Sequence, residues 1–329
     1  MDLDKKFEQF ADWSPIRFYW ENQTPFVDWC YMEKARFTDS FFDTTIQKRF
    51  YQPFNFLFRH QTPIEFLGEM YEKRRGLMPN GFIFHLSRCG STLVSQMLAG
   101  LPQNIVLSEP PPIDAILRAN ARNPQTTDEQ KIEWLKWFVS ASGQPRNDET
   151  HYFIKFDSWS MLDLELITRA FPDVPWIFLY RNPVEVIVSH LRQSGAQMIP
   201  GAIEQLLPGL DLMEVLQMPR EEYCARVLAK ICENALNNAE NRNAKFFNYT
   251  QLPEIMTTEI LDHFQVSYSE QDLKKMNSVT EFDAKSPRTP FMPDSEEKRK
   301  QASETANRAA EKIVKPLYEK LETLQNAKK

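Results

Sequence analysis

Short apolar runs alternate with longer stretches of helical periodicity over most of the chain from residue 81 onward. Each apolar run is bounded by turn residues, which is typical of a strand buried in a parallel sheet. We predict such strands at 81–86, 105–107, 152–156, 175–180 and 246–249. We predict helices at 91–100, 112–121, 127–141, 159–171, 183–194, 220–242, 253–264 and 295–324. Because strands alternate with helices in this way, the pattern predicts an α/β fold with a mostly parallel central sheet.

The first 78 residues follow neither pattern. The chain contains 24 Phe, 10 Tyr and 7 Trp, and nearly half of these aromatic residues lie in this segment. Prolines divide the segment into short pieces. We therefore predict an aromatic-rich N-terminal wrap at 1–78, made of helices and loops, packed against a main domain at 79–329. An alternative is that part of the wrap covers an apolar or aromatic substrate.

Two later segments interrupt the alternation of strands and helices. Residues 195–219 are rich in Gly, Pro, Leu and Met, and we interpret them as a substrate loop or lid. Residues 281–296 contain three prolines and are predicted to form a surface loop.

The net charge of the chain argues against some classes of binding partner. The 329 residues include 39 Lys plus Arg and 45 Asp plus Glu, which gives a formal net charge of −6. This acidic balance argues against a nucleic-acid binder or a protein of anionic membrane surfaces, so any anion site must be a local feature. A hydrophobic share of 42% and a charged share of 26% are ordinary for a folded protein.

The chain carries few signs of secretion or of metal binding. Its first ten residues, MDLDKKFEQF, lack the apolar stretch of a signal peptide, and no run approaches the ~18 apolar residues of a membrane span. The four cysteines form no C-x-x-C pair and the five histidines are scattered. We therefore expect a cytoplasmic protein without a metal site, and the sequence predicts no oligomeric state.

The segment L-S-R-C-G-S-T-L at 86–93 contains the first candidate for chemistry. Gly90 lies at the predicted strand–helix turn, and Ser91 and Thr92 take the first helical positions. Such a turn directs backbone N–H groups at one point, which suits a phosphate or sulfate. The alternative is an ordinary turn with a Ser cap. The loop of nucleoside-triphosphate enzymes, G-x-x-x-x-G-K-[ST], needs a first Gly and a Lys that are missing here, although Asp157 could serve as a magnesium ligand.

The segment W-I-F-L-Y-R-N-P at 176–183 contains the second candidate. Arg181 ends a predicted strand, where α/β sheets bind ligands, and Pro183 opens the next helix. Ser189 lies about two helical turns further on, so both residues reach one anion only if the loop folds Arg181 back. The alternative is a surface Arg paired with an acid and a Ser that faces the sheet.

Together these segments resemble the two binding loops of sulfotransferases that use 3′-phosphoadenosine 5′-phosphosulfate (PAPS), over about 81–265. The spacing is most similar to the tyrosylprotein and carbohydrate branch. The resemblance implies a P-loop, three-layer α/β/α fold with an aromatic-rich N-terminal extension, and binding of PAPS without a metal. It implies that the 5′-phosphosulfate is held by Arg88, Cys89, Gly90, Ser91 and Thr92, and the 3′-phosphate by Arg181 and Ser189.

The resemblance extends to three further positions. Glu109 follows Arg88 by 21 residues, as a catalytic Glu does in the tyrosylprotein branch. Lys155 precedes Arg181 by 26 residues, as does a Lys that contacts the sulfuryl group in that family. Tyr249 in Y-T-Q-L is similar to the Tyr of a Y-E-D-L/M segment that lies near the adenine.

The sequence departs from the family pattern at several points. Cys89 replaces the usual Ser or Gly, and Asn182 replaces a common Asp. The 281–296 loop has no clear signature, so its candidates for the 3′-phosphate are residues chosen by type alone: Lys285, Ser286 and Arg288.

The expected reaction moves a sulfuryl group to an acceptor hydroxyl by in-line displacement. The hydroxyl must lose a proton, so we expect Glu109 to act as general base, with Asp114 or His85 as alternatives. Arg88 and Lys155 are expected to stabilise the developing charge. The Phe-rich and Leu/Met-rich segments favour a small apolar or aromatic acceptor. The alternatives are a P-loop small-molecule kinase and a non-catalytic nucleotide-binding protein of the same fold.

Overall fold

The computed structural model describes residues 7–203, 206–207, 209–290 and 292–327. Its strands are β1 (Trp13–Glu21), β2 (Thr24–Tyr31), β3 (His60–Pro63), β4 (Gly81–His85), β5 (Asn104–Ser108), β6 (His151–Lys155), β7 (Trp176–Tyr180), β8 (Ala244–Asn248), β9 (Phe282–Asp283) and β10 (Ser286–Pro290). Its α-helices are α1 (Phe42–Phe50), α2 (Pro53–Leu57), α3 (Glu65–Lys73), α4 (Ser91–Ala99), α5 (Pro111–Leu117), α6 (Ala119–Arg122), α7 (Asp128–Ser142), α8 (Leu164–Ala170), α9 (Pro183–Arg192), α10 (Leu212–Gln217), α11 (Arg220–Asn237), α12 (Leu261–His263), α13 (Glu270–Ser278), α14 (Ser295–Lys300), α15 (Glu304–Ala309) and α16 (Lys315–Ala327).

A five-stranded parallel sheet forms the centre of the molecule, in the order β5-β6-β4-β7-β8. Its strands are apolar runs because both faces of the sheet are covered. In β4, the side chains of Phe82 and Phe84 pack into one core and Ile83 packs into the other. Helices α7, α9 and α11 cover the first face, and α4 covers the second. This arrangement confirms the predicted α/β fold and its three layers.

The strand order places the carboxyl ends of the strands that carry the sequence motifs side by side. β4 lies between β6 and β7, and the chain leaves it first toward one edge of the sheet and later toward the other. Parallel α/β sheets bind ligands at the carboxyl ends of their strands, next to such a reversal of order. The turns after β4 and β7 therefore lie next to each other. A single site formed by both motifs needs this proximity.

The N-terminal wrap, predicted as helices and loops, contains helices α1, α2 and α3 and also a sheet that the prediction lacks. Strands β1, β2 and β3 form an antiparallel sheet, and a two-residue turn at Asn22 and Gln23 joins β1 to β2. Both turn residues have positive φ (48° and 71°), the geometry that matches the twist of a hairpin. The Phe18 ring centroid lies 5.5 Å from that of Trp134 in α7, so this sheet packs on the helices of the main core. The division into segments 1–78 and 79–329 stays a prediction.

Several predicted helices are shorter or divided. The C-terminal helix predicted at 295–324 is interrupted after Lys300, because Ser303 accepts a hydrogen bond from the Ala306 N–H and begins α15. The predicted helix at 112–121 is divided into α5 and α6 at Arg118, and the one at 253–264 begins with a π-helical turn at Met256–Ile260.

The two predicted loops contain short regular elements. Residues 195–219 include α10, and residues 281–296 include the antiparallel pair β9–β10, so neither segment is wholly irregular. The assignment of 195–219 as a lid stays a prediction. Residues 1–6 of the wrap, residues 204, 205 and 208 of the lid, residue 291 of the second loop and residues 328–329 of the main domain lie outside the described residues.

In the part of the chain that the structure describes, we find no helix with the length and apolar character needed to span a bilayer.

Candidate functional site

A cleft of about 830 Å³ opens at the carboxyl ends of the central strands. The turns after β4, β5, β7 and β8 all contribute to its walls, so segments far apart in the sequence meet there. Of the site residues predicted from the sequence, those that line the cleft are Arg88, Cys89, Gly90, Ser91, Thr92, Glu109, Arg181, Ser189 and Tyr249. Lys155 does not line the cleft and contacts it through Glu109.

The turn between β4 and α4 has an unusual backbone. Ser87, Arg88 and Gly90 all have left-handed φ values, of 76°, 53° and 84°. Gly90 precedes the first residue of α4, and no side chain caps this helix end, so its first N–H groups remain available to an anion. The positive φ of Gly90 favours glycine, and a Cβ atom there would lie 2.6 Å from Cδ1 of Leu252, whose side chain would have to shift.

A pair of buried side chains holds the first residue of this turn. The Ser87 hydroxyl lies 3.1 Å from Nε2 of His190 and accepts a hydrogen bond from the Gln197 amide at 3.2 Å. The Gly195 N–H donates to Nδ1 of His190, so the ring proton is on Nε2 and His190 donates to Ser87. Burial lowers the pKa of His190 to about 3, which keeps the ring neutral. Sequence reasoning missed His190 and Gln197 because neither belongs to a motif.

Cys89 has a structural role in the turn. Its side chain is fully buried, and its thiol donates to the Leu179 carbonyl oxygen at 3.1 Å. Burial raises the pKa of Cys89 to about 11, so the group remains a thiol at neutral pH. The thiol thus links the turn to β7.

Glu109 follows β5 and lies between a lysine and a histidine. Its Oε1 atom is 2.6 Å from Nζ of Lys155 and 3.3 Å from Nε2 of His85. The Ser87 N–H donates to Nδ1 of His85, so the proton of the neutral ring is on Nε2 and faces Glu109. The backbone also fixes Glu109, which has a left-handed φ of 53° and donates its N–H to the Lys155 carbonyl at 2.7 Å.

The electrostatics of this cluster favour an ionised carboxylate. Burial alone would raise the pKa of Glu109, but the Lys155 ammonium and the His85 N–H outweigh it and hold this pKa below its usual range. Burial lowers the pKa of His85, although the neighbouring Glu109 carboxylate opposes this effect. The cluster at neutral pH therefore consists of a carboxylate, an ammonium and a neutral imidazole.

Asp114 is less suited to act as a base. Its Oδ1 atom accepts hydrogen bonds from Nε of Arg118 at 2.9 Å and from the Trp159 indole at 2.7 Å. These two donors hold the carboxylate against Arg118 and Trp159, away from the wall of the cleft. The structure thus brings Glu109 and His85 together in the cleft and leaves Asp114 bonded outside it.

Arg181 lies beside the turn after β4, as a shared site requires. It is 5% exposed, its Nη1 atom donates to the Arg88 carbonyl at 3.4 Å, and its guanidinium carbon lies 4.0 Å from the centre of the Tyr249 ring. Its remaining donors contact Glu185 at 2.6 Å and Asp294 at 2.9 Å. Arg181 is therefore buried in the cleft wall and is also paired with acids.

The C-terminal part of the chain adds cleft residues that the sequence motifs do not reveal. Asp294, Ser295 and Lys298 line the cleft beside Arg181. Of the three candidates in the 281–296 loop, Lys285 lines the cleft, whereas Ser286 and Arg288 do not belong to its wall. Desolvation and the charges of Arg88 and Lys155 lower the pKa of Lys285 to about 8.

A second cavity, of about 400 Å³, adjoins the first at Glu109. The aromatic side chains of Phe41 and Trp159 belong to both cavities. The second cavity also has an acidic lining, formed by Asp43, Asp114 and Asp157 together with Glu109. Burial, reinforced by the neighbouring Glu109 and Asp114, raises the pKa of Asp157 well above its ordinary value. In the described part of the chain, no group of acidic, histidine or cysteine side chains is arranged to hold a metal ion.

The α/β fold thus places an uncapped helix start, a buried arginine from a neighbouring strand and a carboxylate around one cleft, an arrangement that suits an anionic ligand. A sequence profile described as "Sulfotransferase family" matches residues 79–270, more than half of the chain. The chain belongs to the sulfotransferase family, and the protein is an enzyme that transfers sulfuryl groups.

Several solved structures are similar to this chain at low sequence identity. A sulfotransferase domain from the curacin biosynthetic pathway is 18% identical, with 72% of this chain and 98% of that chain covered and a TM-score of 0.44. The corresponding domain of the Synechococcus PCC 7002 olefin synthase is 17% identical, with 76% and 96% covered and a TM-score of 0.40. Retinol dehydratase, in complex with androsterone and the inactive cofactor PAP, is 14% identical, with 81% and 88% covered and a TM-score of 0.36. A comparison with curated protein sequences gave no match.

Proposed function

We propose that this sulfotransferase moves a sulfuryl group from PAPS to the hydroxyl of a small acceptor, with Glu109 as general base. One observation gives the strongest support for PAPS as the donor. The turn at 87–92 and the guanidinium of Arg181 line the same cleft, and Arg181 touches the Arg88 carbonyl. A nucleotide with phosphates at both its 5′ and 3′ positions is therefore able to contact both groups at once.

The donor binds along the cleft in this proposal. The N–H groups of Gly90, Ser91 and Thr92, at the start of α4, hold the 5′-phosphosulfate. The fork of Arg181 binds the 3′-phosphate, supported by Ser189 further along α9. Tyr249, which stacks on Arg181, lies near the adenine. Donor binding through N–H groups and cations of the protein requires no metal ion.

The chemical step is an in-line displacement at sulfur. The acceptor oxygen forms a new O–S bond while the S–O bond to the 5′-phosphate breaks, and adenosine 3′,5′-bisphosphate leaves with the bonding electrons. The acceptor proton passes to the Glu109 carboxylate. Arg88, a cleft residue of the same turn, stabilises the charge that develops on the sulfuryl oxygens.

Lys155 has two successive roles in this proposal. Before the reaction its ammonium, fully buried behind Glu109, keeps that carboxylate ionised. When Glu109 takes the acceptor proton it loses its negative charge, and the Lys155 ammonium loses its counter-charge. Lys155 is then free to turn toward the negative sulfuryl oxygens, which is the contact that the family resemblance implies for it.

The acceptor enters from the second cavity. This cavity meets the cleft at Glu109, so a hydroxyl placed there lies next to the base. The Phe41 and Trp159 side chains provide apolar faces, which suits the expected apolar or aromatic acceptor. The ionised carboxylate of Glu109, in the wall of this cavity, repels an anionic acceptor, so neutral or cationic hydroxyl compounds are preferred.

The direct test is transfer of labelled sulfur from PAPS to a panel of alcohols, phenols and lipids, each with neutral, cationic and anionic members. We expect product with neutral or cationic members, formed about 100-fold or more slowly by Glu109→Gln. The same panel with labelled ATP and Mg²⁺ tests the kinase alternative. Phosphoryl transfer from ATP, or PAPS binding with no transfer to any member, would contradict the proposal.

A further inference from the structure

Each of the three nitrogens of the Arg181 guanidinium already donates to a group of this protein. Its Nε atom donates to Glu185 at 2.6 Å, its Nη1 atom to the Arg88 carbonyl at 3.4 Å, and its Nη2 atom to Asp294 and to the Ser295 hydroxyl, both at 2.9 Å. A phosphate that binds here in a bidentate way has to replace one of these acceptors.

Asp294 is the acceptor whose position calls for an explanation. It precedes the first residue of α14, where an Asp ordinarily accepts a helix N–H, yet its side chain caps no N–H of this helix. The carboxylate instead lies between two cations, with Oδ1 at 2.9 Å from Arg181 and Oδ2 at 2.6 Å from Lys298. Asp294 therefore places an oxyanion inside the cleft wall at the expense of a helix cap.

Lys298, the second cation beside Asp294, is unusually buried for a lysine. It is 6% exposed and lines the cleft, although a lysine is rarely buried without a strong reason. The ion pair that the structure gives Lys298 is the one with Asp294. Glu185, by contrast, is shared by Arg181 and Arg299, at 2.6 and 3.3 Å. Three cations thus face two carboxylates, and replacement of the Asp294 carboxylate by a phosphate dianion balances the charges.

We propose that Arg181, Ser295 and Lys298 form a phosphate pocket that the Asp294 carboxylate occupies in the absence of nucleotide. The phosphate enters as Asp294 moves out, and it takes over the hydrogen bonds from Arg181, Ser295 and Lys298. Lys298 and Ser295 are then nucleotide-binding residues, and Asp294 lowers the affinity of the pocket. The identity of the ligand as the 3′-phosphate of the donor rests on the proposed function.

The pocket is tested with inorganic phosphate, titrated by calorimetry into the full chain. Asp294→Asn removes the competing charge and is expected to tighten phosphate binding about tenfold. Glu296→Gln is the matched control, because it makes the same charge change on the same helix at an exposed side chain whose ion pair is with Lys300. The double variant Asp294→Asn/Lys298→Met should lose the gain, which locates the phosphate. An affinity of Asp294→Asn equal to or weaker than that of Glu296→Gln would overturn the proposal.

A second titration, with adenosine 3′,5′-bisphosphate and adenosine 5′-phosphate, separates this proposal from the proposed function. Lys298→Met and Ser295→Ala should weaken the bisphosphate several-fold and leave the 5′-phosphate unchanged. If no variant binds the bisphosphate while Asp294→Asn still gains affinity for inorganic phosphate, the donor assignment is wrong and the pocket stands. If the bisphosphate binds and Lys298→Met has no effect on it, the pocket is not the 3′-phosphate site.

Discussion

The Lys155 ammonium lies 2.6 Å from the Glu109 carboxylate, and the Lys155 side chain is 0% exposed. A buried ammonium is strongly unfavourable unless a carboxylate compensates it. The pair therefore fixes the charge state of both groups. A ligand in the cleft can contact Glu109 but not the buried Lys155. Glu109 is thus held ionised in the wall of the cleft, as the proposed general base requires.

Replacement of Glu109 by Gln should remove the base and leave the donor site intact. We expect kcat to fall by about 100-fold or more, the usual contribution of a positioned general base. The affinity for adenosine 3′,5′-bisphosphate should stay within a few-fold. Asp114→Asn is the matched control, and it should retain most of the activity because Arg118 and Trp159 already bond that carboxylate. An equal loss in both variants would show that the base is misassigned.

Removal of the Lys155 charge should move the acid limb of the pH profile. With Lys155 present, the pKa of Glu109 is below its usual range, so the acid limb of kcat/KM lies below the ordinary glutamate value of about 4.3. In Lys155→Met only His85 still opposes the effect of burial, so the pKa of Glu109 rises and the limb should move to higher pH. Lys155→Arg keeps the charge and should keep the limb low. Identical acid limbs in the two variants would exclude this role of Lys155.

The same ion pair makes a pH-dependent contribution to folding. Because the folded-state pKa of Glu109 is lowered, its contribution to the free energy of unfolding is present above about pH 4.3 and is lost as the pH falls through the folded value. Lys155→Met should therefore lose stability at pH 7 and much less near pH 3. Denaturant unfolding at both pH values measures the difference, and an equal loss at both would contradict it.

Gly90 should tolerate no side chain. Gly90→Ala forces a left-handed φ on alanine, at a cost of about 1–2 kcal/mol, and places Cβ 2.6 Å from Leu252. We expect at least a tenfold weaker affinity for the bisphosphate, because the N–H groups of the turn are displaced. Gly100→Ala, at the other end of α4 with φ −59° and ordinary contacts, is the control and should bind normally. Normal binding by Gly90→Ala would mean that the turn does not hold the phosphosulfate.

Lys285 should make the affinity for the donor decrease at alkaline pH. With a pKa lowered to about 8, this side chain is a cation below that pH and neutral above it. Donor affinity should therefore fall as the pH rises through 8. Lys285→Arg stays charged and should give a flat profile with strong binding, whereas Lys285→Met should give a flat profile with weak binding. A profile of the wild type that is flat from pH 7 to 9 would exclude Lys285 from the donor site.

The cleft could be predicted from the sequence because its motifs follow the strands of a parallel sheet, whose carboxyl ends meet at one edge. The same rule predicts, from the sequence alone, that Arg181 lies beside the turn at Gly90. Asp294 and Lys298 could not be predicted in the same way. They lie on a short C-terminal helix without a motif, and tertiary packing alone brings them to the cleft. The N-terminal hairpin was missed because prolines and aromatic residues obscure its alternating pattern.

Calorimetric titration of the wild type with adenosine 3′,5′-bisphosphate, in the presence of a metal chelator, tests the donor assignment most directly. We expect binding at least tenfold tighter than that of adenosine 5′-phosphate, and Arg181→Ala should abolish this difference while both nucleotides still bind. Equal affinities for the two nucleotides in the wild type, or a difference that survives in Arg181→Ala, would contradict the account.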